Sequence, residues 1–133
     1  MVRQFKSVVM CASLGTFASI MAIFLLSTSG QAQTSGKHGK ELFEKRCGGC
    51  HSLDADKEGP RLHNVFGRKA GSVPTFKYSG ALKSAQFTWD SASLDRWLTN
   101  TESVVPDNDM DFHVPKADER ADIIEFLRVA SGK

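Results

Sequence analysis

Apolar and polar residues are distributed along this chain in two different ways. From Ser7 to Gln33 the chain contains no charged residue, and the densest apolar part of this run extends from Val8 to Leu26. Beyond Gln33, apolar residues recur every three or four positions in short segments separated by polar loops, which is typical of amphipathic helices. The pattern divides the 133 residues into an N-terminal apolar segment, residues 1–32, and one domain, residues 33–133.

The first helical segment of the domain lies directly before a pair of cysteines. Leu42, Phe43 and Cys47 lie on one side of this helix, which we expect to begin at Ser35, a residue suited to an N-cap. Gly39 inside the pattern costs about 1 kcal/mol relative to Ala. Such a residue often allows another helix to pack closely, so this segment predicts a helix–helix contact at Gly39.

Two further segments predict helices, and one predicts a short helical turn. The spacing indicates helices from Ser91 to Thr99 and from Asp118 to Ala130, and the turn is expected near residues 79–85. Acidic residues begin the last helix and Gly132 follows it, as expected for helix ends. The apolar faces consist of Leu94, Trp97 and Leu98 in the central helix and of Ile123, Ile124, Phe126, Leu127 and Ala130 in the C-terminal helix.

Residues 52–78 are predicted to form a long loop. Gly59, Pro60, Gly67, Gly71 and Pro74 interrupt this stretch, and it contains no convincing alternation of a strand. Such long loops are uncommon in a domain of about 100 residues. A large apolar prosthetic group would explain them, because loops can wrap around it and use it as part of the core.

The run Cys-Gly-Gly-Cys-His at residues 47–51 has the C-x-x-C-H spacing used for covalent attachment of a c-type haem. Cys47 and Cys50 can each form a thioether to one haem vinyl group, and His51 then presents its imidazole to the iron. A structural zinc site would need a second ligand pair, and the sequence has no second C-x-x-C. A thioredoxin-like dithiol would need a βαβ setting, which the flanks lack. The motif therefore predicts one haem c, covalently bound through Cys47 and Cys50.

The iron of such a haem has two axial positions. His51 is the proximal candidate, and Met110 is the only methionine beyond the N-terminal segment. Met110 lies in a predicted loop between two helices, unlike a core-filling methionine on a helical face. His113 is the main alternative ligand, whereas His38 and His63 are expected at the surface. With His51 and Met110 both bound, the remaining chemistry is outer-sphere electron transfer at a raised reduction potential.

Residues 1–32 have the features of an export segment. Arg3 and Lys6 precede the apolar run, and residues 30–32 supply small side chains at the spacing of a signal-peptidase site, so cleavage after Ala32 is expected. Thioether attachment of haem requires export in bacteria, which agrees with a periplasmic location. The apolar run is also long enough to span a bilayer, so the alternative is a retained anchor in the inner membrane, facing the periplasm.

The charge balance excludes an electrostatic nucleic-acid binder. The formal net charge of +2 comes from Arg3 and Lys6, so residues 33–133 carry equal numbers of basic and acidic side chains and have no basic stripe. The two halves of the domain nevertheless differ. Residues 33–83 contain ten basic and five acidic residues, and residues 84–133 contain five basic and ten acidic residues.

The stretch from about Gly36 to Ala130 resembles the class I cytochromes c, which include the mitochondrial protein and the bacterial cytochromes c2 and c550. Besides the C-x-x-C-H motif and the methionine, residues 59–68 read G-P-R-L-H-N-V-F-G-R, similar to the family's G-P-x-L-x-x-x-x-G-R. The resemblance implies an all-α fold in which N- and C-terminal helices cross around a covalently bound haem. The positions that match this crossing are Gly39, Phe43 and Phe126.

The same resemblance implies roles for residues around the haem. The carbonyl of Pro60 would accept the ring N–H of His51 and fix its tautomer. Arg68, Tyr78 and Trp89 would be hydrogen-bond partners of a haem propionate, although the two aromatic residues are also expected in the core.

Three departures from the family pattern affect the haem pocket. Trp97 stands where the family commonly has a tyrosine beside the methionine sulfur, and Leu82 stands where it has an asparagine. Residues 106–110 keep the proline and methionine of Pro-Gly-Thr-Lys-Met but change the three residues between them.

Two classes of function are compatible with a c-type haem. One is an electron carrier, taking electrons from a quinol-oxidising complex or dehydrogenase and passing them to a terminal oxidase or reductase. The other is a haem enzyme or sensor with a labile sixth ligand. Met110 in a proline-led loop favours the carrier, which is not an enzyme and is expected to be a monomer.

The charges expected around the haem edge differ from those of the mitochondrial proteins, whose rim is rich in lysine. Arg46 and Lys116 would keep positive charge there, but Glu102 and Asp109 occupy positions where the family usually has lysine. The rim is therefore expected either to dock on a mixed or positively charged partner or to be a solvated surface with no docking role.

Overall fold

The computed structural model describes residues 29–133, and this part of the chain contains five α-helices and no β-strand. The helices are α1 (Ser29–Arg46), α2 (Gly80–Ser84), α3 (Ser91–Thr99), α4 (Thr101–Val104) and α5 (Ala117–Ala130). An isolated antiparallel bridge joins Lys69 and Thr88. The predicted all-α class is confirmed.

Most of the predicted N-terminal export segment, residues 1–28, lies outside the described residues. Within residues 29–133, no helix combines the length and the apolar character needed to cross a membrane.

Helix α1 begins earlier than the sequence predicted. Ser29, the first described residue, is already helical, so the prediction that the helix begins with Ser35 as its cap is wrong. Serine marks a helix start only where the residues before it are not helical, and here the polar residues that precede Ser35 continue the helix. The end of α1 at Arg46 agrees with the prediction that this helix leads directly into the cysteine motif.

The central helix α3 has the predicted bounds. Its N-terminus is closed by a reciprocal capping box, in which Ser93 N donates to Asp90 Oδ1 over 2.7 Å and Asp90 N donates to Ser93 Oγ over 2.8 Å. These two bonds satisfy donors that the first helical turn leaves without partners. Helix α2 lies within the predicted turn, and α5 begins at Ala117, one residue before the predicted start.

Helix α4 was not predicted. It has only four residues, and Asn100 separates it from α3. The Asn100 side chain accepts a hydrogen bond from Ser103 N over 3.1 Å and so caps the short helix. Four residues are too few to express a helical period, which explains why the apolar pattern does not reveal this element.

Helices α1 and α5 meet at Gly39. A Cβ atom at this position would lie 2.2 Å from the carbonyl oxygen of Asp122 and 3.0 Å from Cβ of Phe126. The rings of Phe43 and Phe126 pack beside this contact with their centroids 5.2 Å apart. The predicted close approach at Gly39 is confirmed, and it depends on the missing side chain.

The core lies between α1, α3 and α5. Ile123 and Val114 have no exposed surface, and Trp97 is 5% exposed. The predicted apolar faces of α3 and α5 point into this core, except that Phe126 and Ala130 are only partly buried. The other buried apolar residues of the cluster are Leu42, Phe43, Val65, Ala70, Trp89, Leu94, Leu98, Val105, Ile124 and Leu127.

Main-chain hydrogen bonds fold the long loop back on itself. Leu62 N donates to Ser52 O and His63 N to Leu53 O, each over 2.9 Å, which holds the segment around Pro60 beside the residues that follow the cysteine motif. Ala70 N donates to Phe87 O over 2.9 Å and ties the far part of the loop to the start of α3. The loop therefore has a defined path without strands.

The contact at Gly39 gives a testable prediction. Replacing Gly39 with Ala should lower the free energy of unfolding by about 1–3 kcal/mol, because the added methyl meets a main-chain carbonyl that cannot move independently. Denaturant unfolding followed by circular dichroism measures the change.

Gly36→Ala in the same helix is the matched control, because a Cβ there would meet no heavy atom within 4 Å. This control should be neutral or stabilising by up to about 1 kcal/mol, since Ala is the better helix former. Equal effects of the two substitutions would contradict the packing argument.

Candidate functional site

The end of α1 carries the cysteine motif in a tight turn. Cys47 N donates to Phe43 O over 2.8 Å, and His51 N then donates to Cys47 O over 2.8 Å. This turn brings the side chains of Cys47, Cys50 and His51 together at the C-terminus of α1. Both thiols are free rather than joined in a disulfide.

The two thiols differ in environment. Cys50 is exposed, whereas Cys47 is partly buried against the core. Burial raises the pKa of the Cys47 thiol to about 11, although the nearby Arg46 charge lowers it and Cys50 raises it further. The Cys47 sulfur is therefore protonated at neutral pH, and it already lies at an apolar surface.

The His51 ring is oriented by a hydrogen bond to the main chain. Its Nδ1 lies 2.8 Å from the carbonyl oxygen of Pro60, and because a carbonyl can only accept, Nδ1 carries the proton. Nε2 is then the nitrogen with a free lone pair. Burial lowers the pKa of His51 and so does the charge of Lys57, while the bond to Pro60 opposes them. The result is a neutral imidazole with one nitrogen able to bind a metal.

Gly59 packs flat against this ring, a role that the sequence motif did not reveal. A Cβ at Gly59 would lie 2.2 Å from Cε1 of His51 and 2.7 Å from both ring nitrogens. Gly48 is also constrained, since a Cβ there would lie 2.5 Å from Glu44 O at the end of α1. Gly59 thus allows the chain to pack closely against His51, and Gly48 allows the motif to turn tightly at the end of α1.

Met110 lies in the loop between α4 and α5, and its sulfur has a hydrogen-bond donor. Trp97 Nε1 is 3.3 Å from Met110 Sδ, so the indole N–H donates to the thioether. Trp97 is held in place by an edge-to-face contact with Trp89, with ring centroids 5.4 Å apart. His113 is exposed, whereas Met110 is partly buried and packs against the core.

Arg68, Tyr78 and Trp89, the residues expected at a haem propionate, lie in or next to the long loop. Trp89 N donates to Arg68 O over 2.9 Å, and the Arg68 guanidinium donates to His63 O and Arg61 O, each over 3.0 Å. Burial raises the pKa of Tyr78, and the neighbouring charge of Arg68 opposes that shift. Tyr78 Oη accepts a hydrogen bond from Val73 N over 3.3 Å and keeps its own proton available for donation.

The residues present fit a covalently bound haem. The site offers two free thiols, a neutral imidazole nitrogen and a thioether, and Arg68 and Tyr78 supply donors suited to carboxylates. Among the described residues, no three His, Cys, Asp or Glu side chains group as a protein-only metal site would require. The apolar side chains that pack on the core and stay partly exposed include Leu53, Leu62, Phe66, Leu82, Phe87, Val104 and Phe112.

The charges expected on the rim are partly neutralised in the structure. Arg46 forms an ion pair with Glu119 of α5, and Lys116 Nζ approaches the other oxygen of Glu119 at 3.4 Å. Glu119 is 13% exposed and Arg46 is 30% exposed, so this pair is shielded from solvent more than an ordinary surface pair, whereas Lys116 is 68% exposed. Both predicted positive rim residues thus share one carboxylate. Lys116 and Glu119 are three positions apart, whereas the pairing of Arg46 with Glu119 is long-range and is not encoded by any local sequence pattern.

The chain was compared with known proteins. The family model described as Cytochrome c matches residues 36–131. Cytochrome c type-1 of Ascaris suum is 44% identical over 92 residues, covering 67% of this chain and 82% of that protein. Cytochrome c2 of Rhodomicrobium vannielii is 38% identical over 120 residues, covering 87% of this chain and 95% of that protein.

Among solved structures, cytochrome cH from Methylobacterium extorquens superposes with a TM-score of 0.67 at 33% identity, covering 71% of this chain and 97% of that protein. The helical fold and the cysteine–histidine motif define a class I cytochrome c. The chain belongs to the cytochrome c family. It is a monohaem electron carrier, and its haem c is attached through Cys47 and Cys50.

The packing of Gly59 on His51 gives a second prediction. Gly59→Ala should lower the free energy of unfolding by about 1–3 kcal/mol and shift the NMR signal of the His51 Nδ1 proton, because the new methyl must displace the ring or its Pro60 partner. Denaturant unfolding and proton NMR of the haem-containing protein measure these two effects.

Gly80→Ala is the control, since a Cβ at Gly80 meets no heavy atom within 4 Å. This variant should leave both measurements close to wild type. An unshifted His51 signal in Gly59→Ala would refute the proposed contact.

Proposed function

We propose that this protein is an electron carrier of a bacterial respiratory chain, in which His51 and Met110 would be the two protein ligands of the haem iron. The observation that supports the proposal is that the side chains of both ligands are already oriented by hydrogen bonds. His51 has its Nδ1 proton committed to Pro60 O at 2.8 Å, and Met110 has its sulfur facing the N–H of Trp97 at 3.3 Å.

The two ligands determine which chemistry the site supports. When bound, haem c supplies an iron that takes up or releases one electron. An imidazole opposite a thioether favours the ferrous state and raises the reduction potential. Because both axial positions would be filled by the protein, small molecules have no open coordination site, and electron transfer through the haem edge is favoured over catalysis at the metal.

The residues around the ligands keep the site rigid and dry. The bond to Pro60 and the close packing of Gly59 restrict rotation of the His51 ring. Trp97 is buried beside the Met110 sulfur, and Leu82 and Met110 both pack against the hydrophobic core. A rigid ligand set reduces the rearrangement that accompanies electron transfer, and an apolar pocket disfavours the additional charge of the ferric state.

Arg68, Tyr78 and Trp89 are proposed to bind one haem propionate. Arg68 and Tyr78 are close enough that each influences the pKa of the other, and Trp89 is joined to Arg68 through the main chain. Three N–H and O–H donors together would stabilise the ionised carboxylate. This assignment agrees with the resemblance noted in the sequence.

Met110→Ala tests the ligation. The variant should retain its covalent haem but lose the weak ferric absorption band of a methionine–iron bond near the red edge of the visible spectrum. It should also bind added cyanide or carbon monoxide readily, because an axial position is then open. Ultraviolet–visible titration measures both effects.

His113→Ala is the control, because His113 is the alternative ligand and its side chain is exposed. It should keep the wild-type spectrum and its resistance to cyanide. If His113→Ala allows cyanide or carbon monoxide to bind the iron and Met110→Ala does not, the assignment of Met110 as the ligand is wrong.

The surface around Met110 is proposed to meet mixed or positively charged redox partners, such as a quinol-oxidising complex or dehydrogenase as donor and a terminal oxidase or reductase as acceptor. Asp107, Asp109 and Asp111 are exposed in the Met110 loop, while Arg46 and Lys116 both interact with Glu119. Glu102 is less available to a partner, because it accepts hydrogen bonds from Asp107 N and Asn108 Nδ2. Such surface charges act mainly on the association rate.

Asp109→Lys tests this surface with small redox reagents of opposite charge. Oxidation of the reduced protein by tris(phenanthroline)cobalt(III) should slow and oxidation by hexacyanoferrate(III) should accelerate, each about two- to fivefold at low salt. Stopped-flow measurements at rising ionic strength should show both differences shrink, because salt screens exposed charges.

Glu41→Lys makes the same change in net charge at an exposed position of α1 and is the control. Its rates should stay near wild type. If both variants change the rates equally, only the net charge matters and the loop has no special role.

The proposed location is the periplasm, with residues 1–32 as the export signal, cleaved after Ala32. Arg3, Lys6, the apolar run and the small residues before Gln33 support export. The similarity to a bacterial cytochrome c2 over 87% of this chain is consistent with that location. A retained N-terminal anchor would place the same domain at the periplasmic face of the inner membrane.

A further inference from the structure

Met110 is bonded to its surroundings through its main chain as well as through its sulfur. Thr101 Oγ1 donates to Met110 O over 2.6 Å, and Met110 N donates to Asn108 Oδ1 over 2.8 Å. With the bond from Trp97, three hydrogen bonds therefore fix this one residue. Two of them act on the peptide groups on either side of its Cα atom.

Thr101 is buried and belongs to a helix, unlike Asn108, the other partner of the Met110 main chain. It is the first residue of α4, its exposed fraction is 5%, and its own carbonyl accepts a hydrogen bond from Val105 N over 3.0 Å. Asn108 lies in the loop and is tied to the same element, because its Nδ2 donates to Val105 O over 2.9 Å. Helix α4 is therefore the support on which the Met110 loop is built.

We propose that Thr101 is a positioning residue for Met110, holding the main chain of the loop so that the thioether stays at the haem iron. This inference rests on the proposed ligation by Met110. Methionine has three rotatable bonds beyond Cα and adapts easily to its surroundings. The hydrogen bond from Trp97 to the sulfur does not fix the position of the Met110 main chain. The hydrogen bond from the Thr101 hydroxyl to Met110 O does fix it.

The physical consequence concerns the competition between Met110 and added ligands. Any free energy that holds the loop in place opposes the displacement of the thioether from the iron. Losing the Thr101 hydroxyl would leave Met110 O without this donor and would make displacement easier. The effect should appear as a higher affinity of the ferric protein for an added ligand.

The test is a titration of the haem-containing ferric protein with imidazole, followed by its absorption spectrum. Thr101→Val, which has nearly the same shape but no hydroxyl, should bind imidazole about three- to tenfold more tightly than wild type, as expected for the loss of one hydrogen bond. Thr101→Ser retains the hydroxyl and should return the affinity to within about twofold of wild type.

Thr99→Val is the matched control. Thr99 lies two positions earlier and is exposed, and its Oγ1 donates to Asp95 O within α3 rather than to the loop. The same chemical change at this position should leave the imidazole affinity unaltered. Equal increases in Thr99→Val and Thr101→Val would overturn the proposal, and so would a Thr101→Val protein that is less stable to denaturant but binds imidazole like wild type.

Thr101→Ala provides a second variant if Thr101→Val yields no haem-containing protein. It removes the same donor to Met110 O and should also raise the imidazole affinity. An unchanged affinity in Thr101→Ala would overturn the proposal in that case. If Met110→Ala itself leaves the spectrum unchanged, the ligation has failed, whereas a changed Met110→Ala spectrum with an unaffected Thr101→Val refutes the positioning role alone.

Discussion

The close contact between α1 and α5 at Gly39 is the constraint on which the rest of the structure depends. A side chain at this position would overlap the carbonyl of Asp122, so the two helices can approach only where α1 has none. The contact fixes the C-terminal end of α1, and the cysteine motif follows that end directly. The ion pair between Arg46 and Glu119 joins the same two helices again one residue before Cys47. Helix packing thus positions the start of the haem attachment site, and the loop that follows holds its histidine through Gly59 and Pro60.

The two sides of the site are held by contacts of different range. On the His51 side, the partners lie within nine positions along the chain, and the ring is bonded to Pro60 and packed against Gly59. On the Met110 side, Trp97 comes from α3 and Thr101 from α4. A local set of contacts forms whenever the turn forms, whereas the second set requires the helices to be packed first. Hence the methionine side depends more strongly on the folded core.

Several basic side chains of the domain pair with acidic residues of its helices. Glu119 lies between Arg46 and Lys116, and Asp95 of α3 pairs with Arg120 Nε over 2.7 Å. These pairs use basic side chains for links within the domain, while the three aspartates of the Met110 loop remain exposed. Because partly buried ion pairs are weakly screened and exposed charges are strongly screened, the first group contributes mainly to the fold and the second to encounters with other molecules.

The sequence alone was sufficient for features whose signal is local. The C-x-x-C-H spacing indicated the haem, the period of Leu94, Trp97 and Leu98 gave α3 with its observed bounds, and the class of the fold followed from such patterns. The helix–helix contact at Gly39 was also predicted correctly. Glycine lowers the stability of a helix, and close packing of a second helix explains its presence there.

Other features were decided only by the tertiary structure. The sequence did not predict the helix α4, the contact of Gly59 with His51 or the ion pair of Arg46 with Glu119. Spacing along the chain encodes which face of a helix is apolar, but it does not encode which distant side chain will satisfy a given polar atom. The Thr101 hydroxyl meets the Met110 carbonyl because packed helices bring them together.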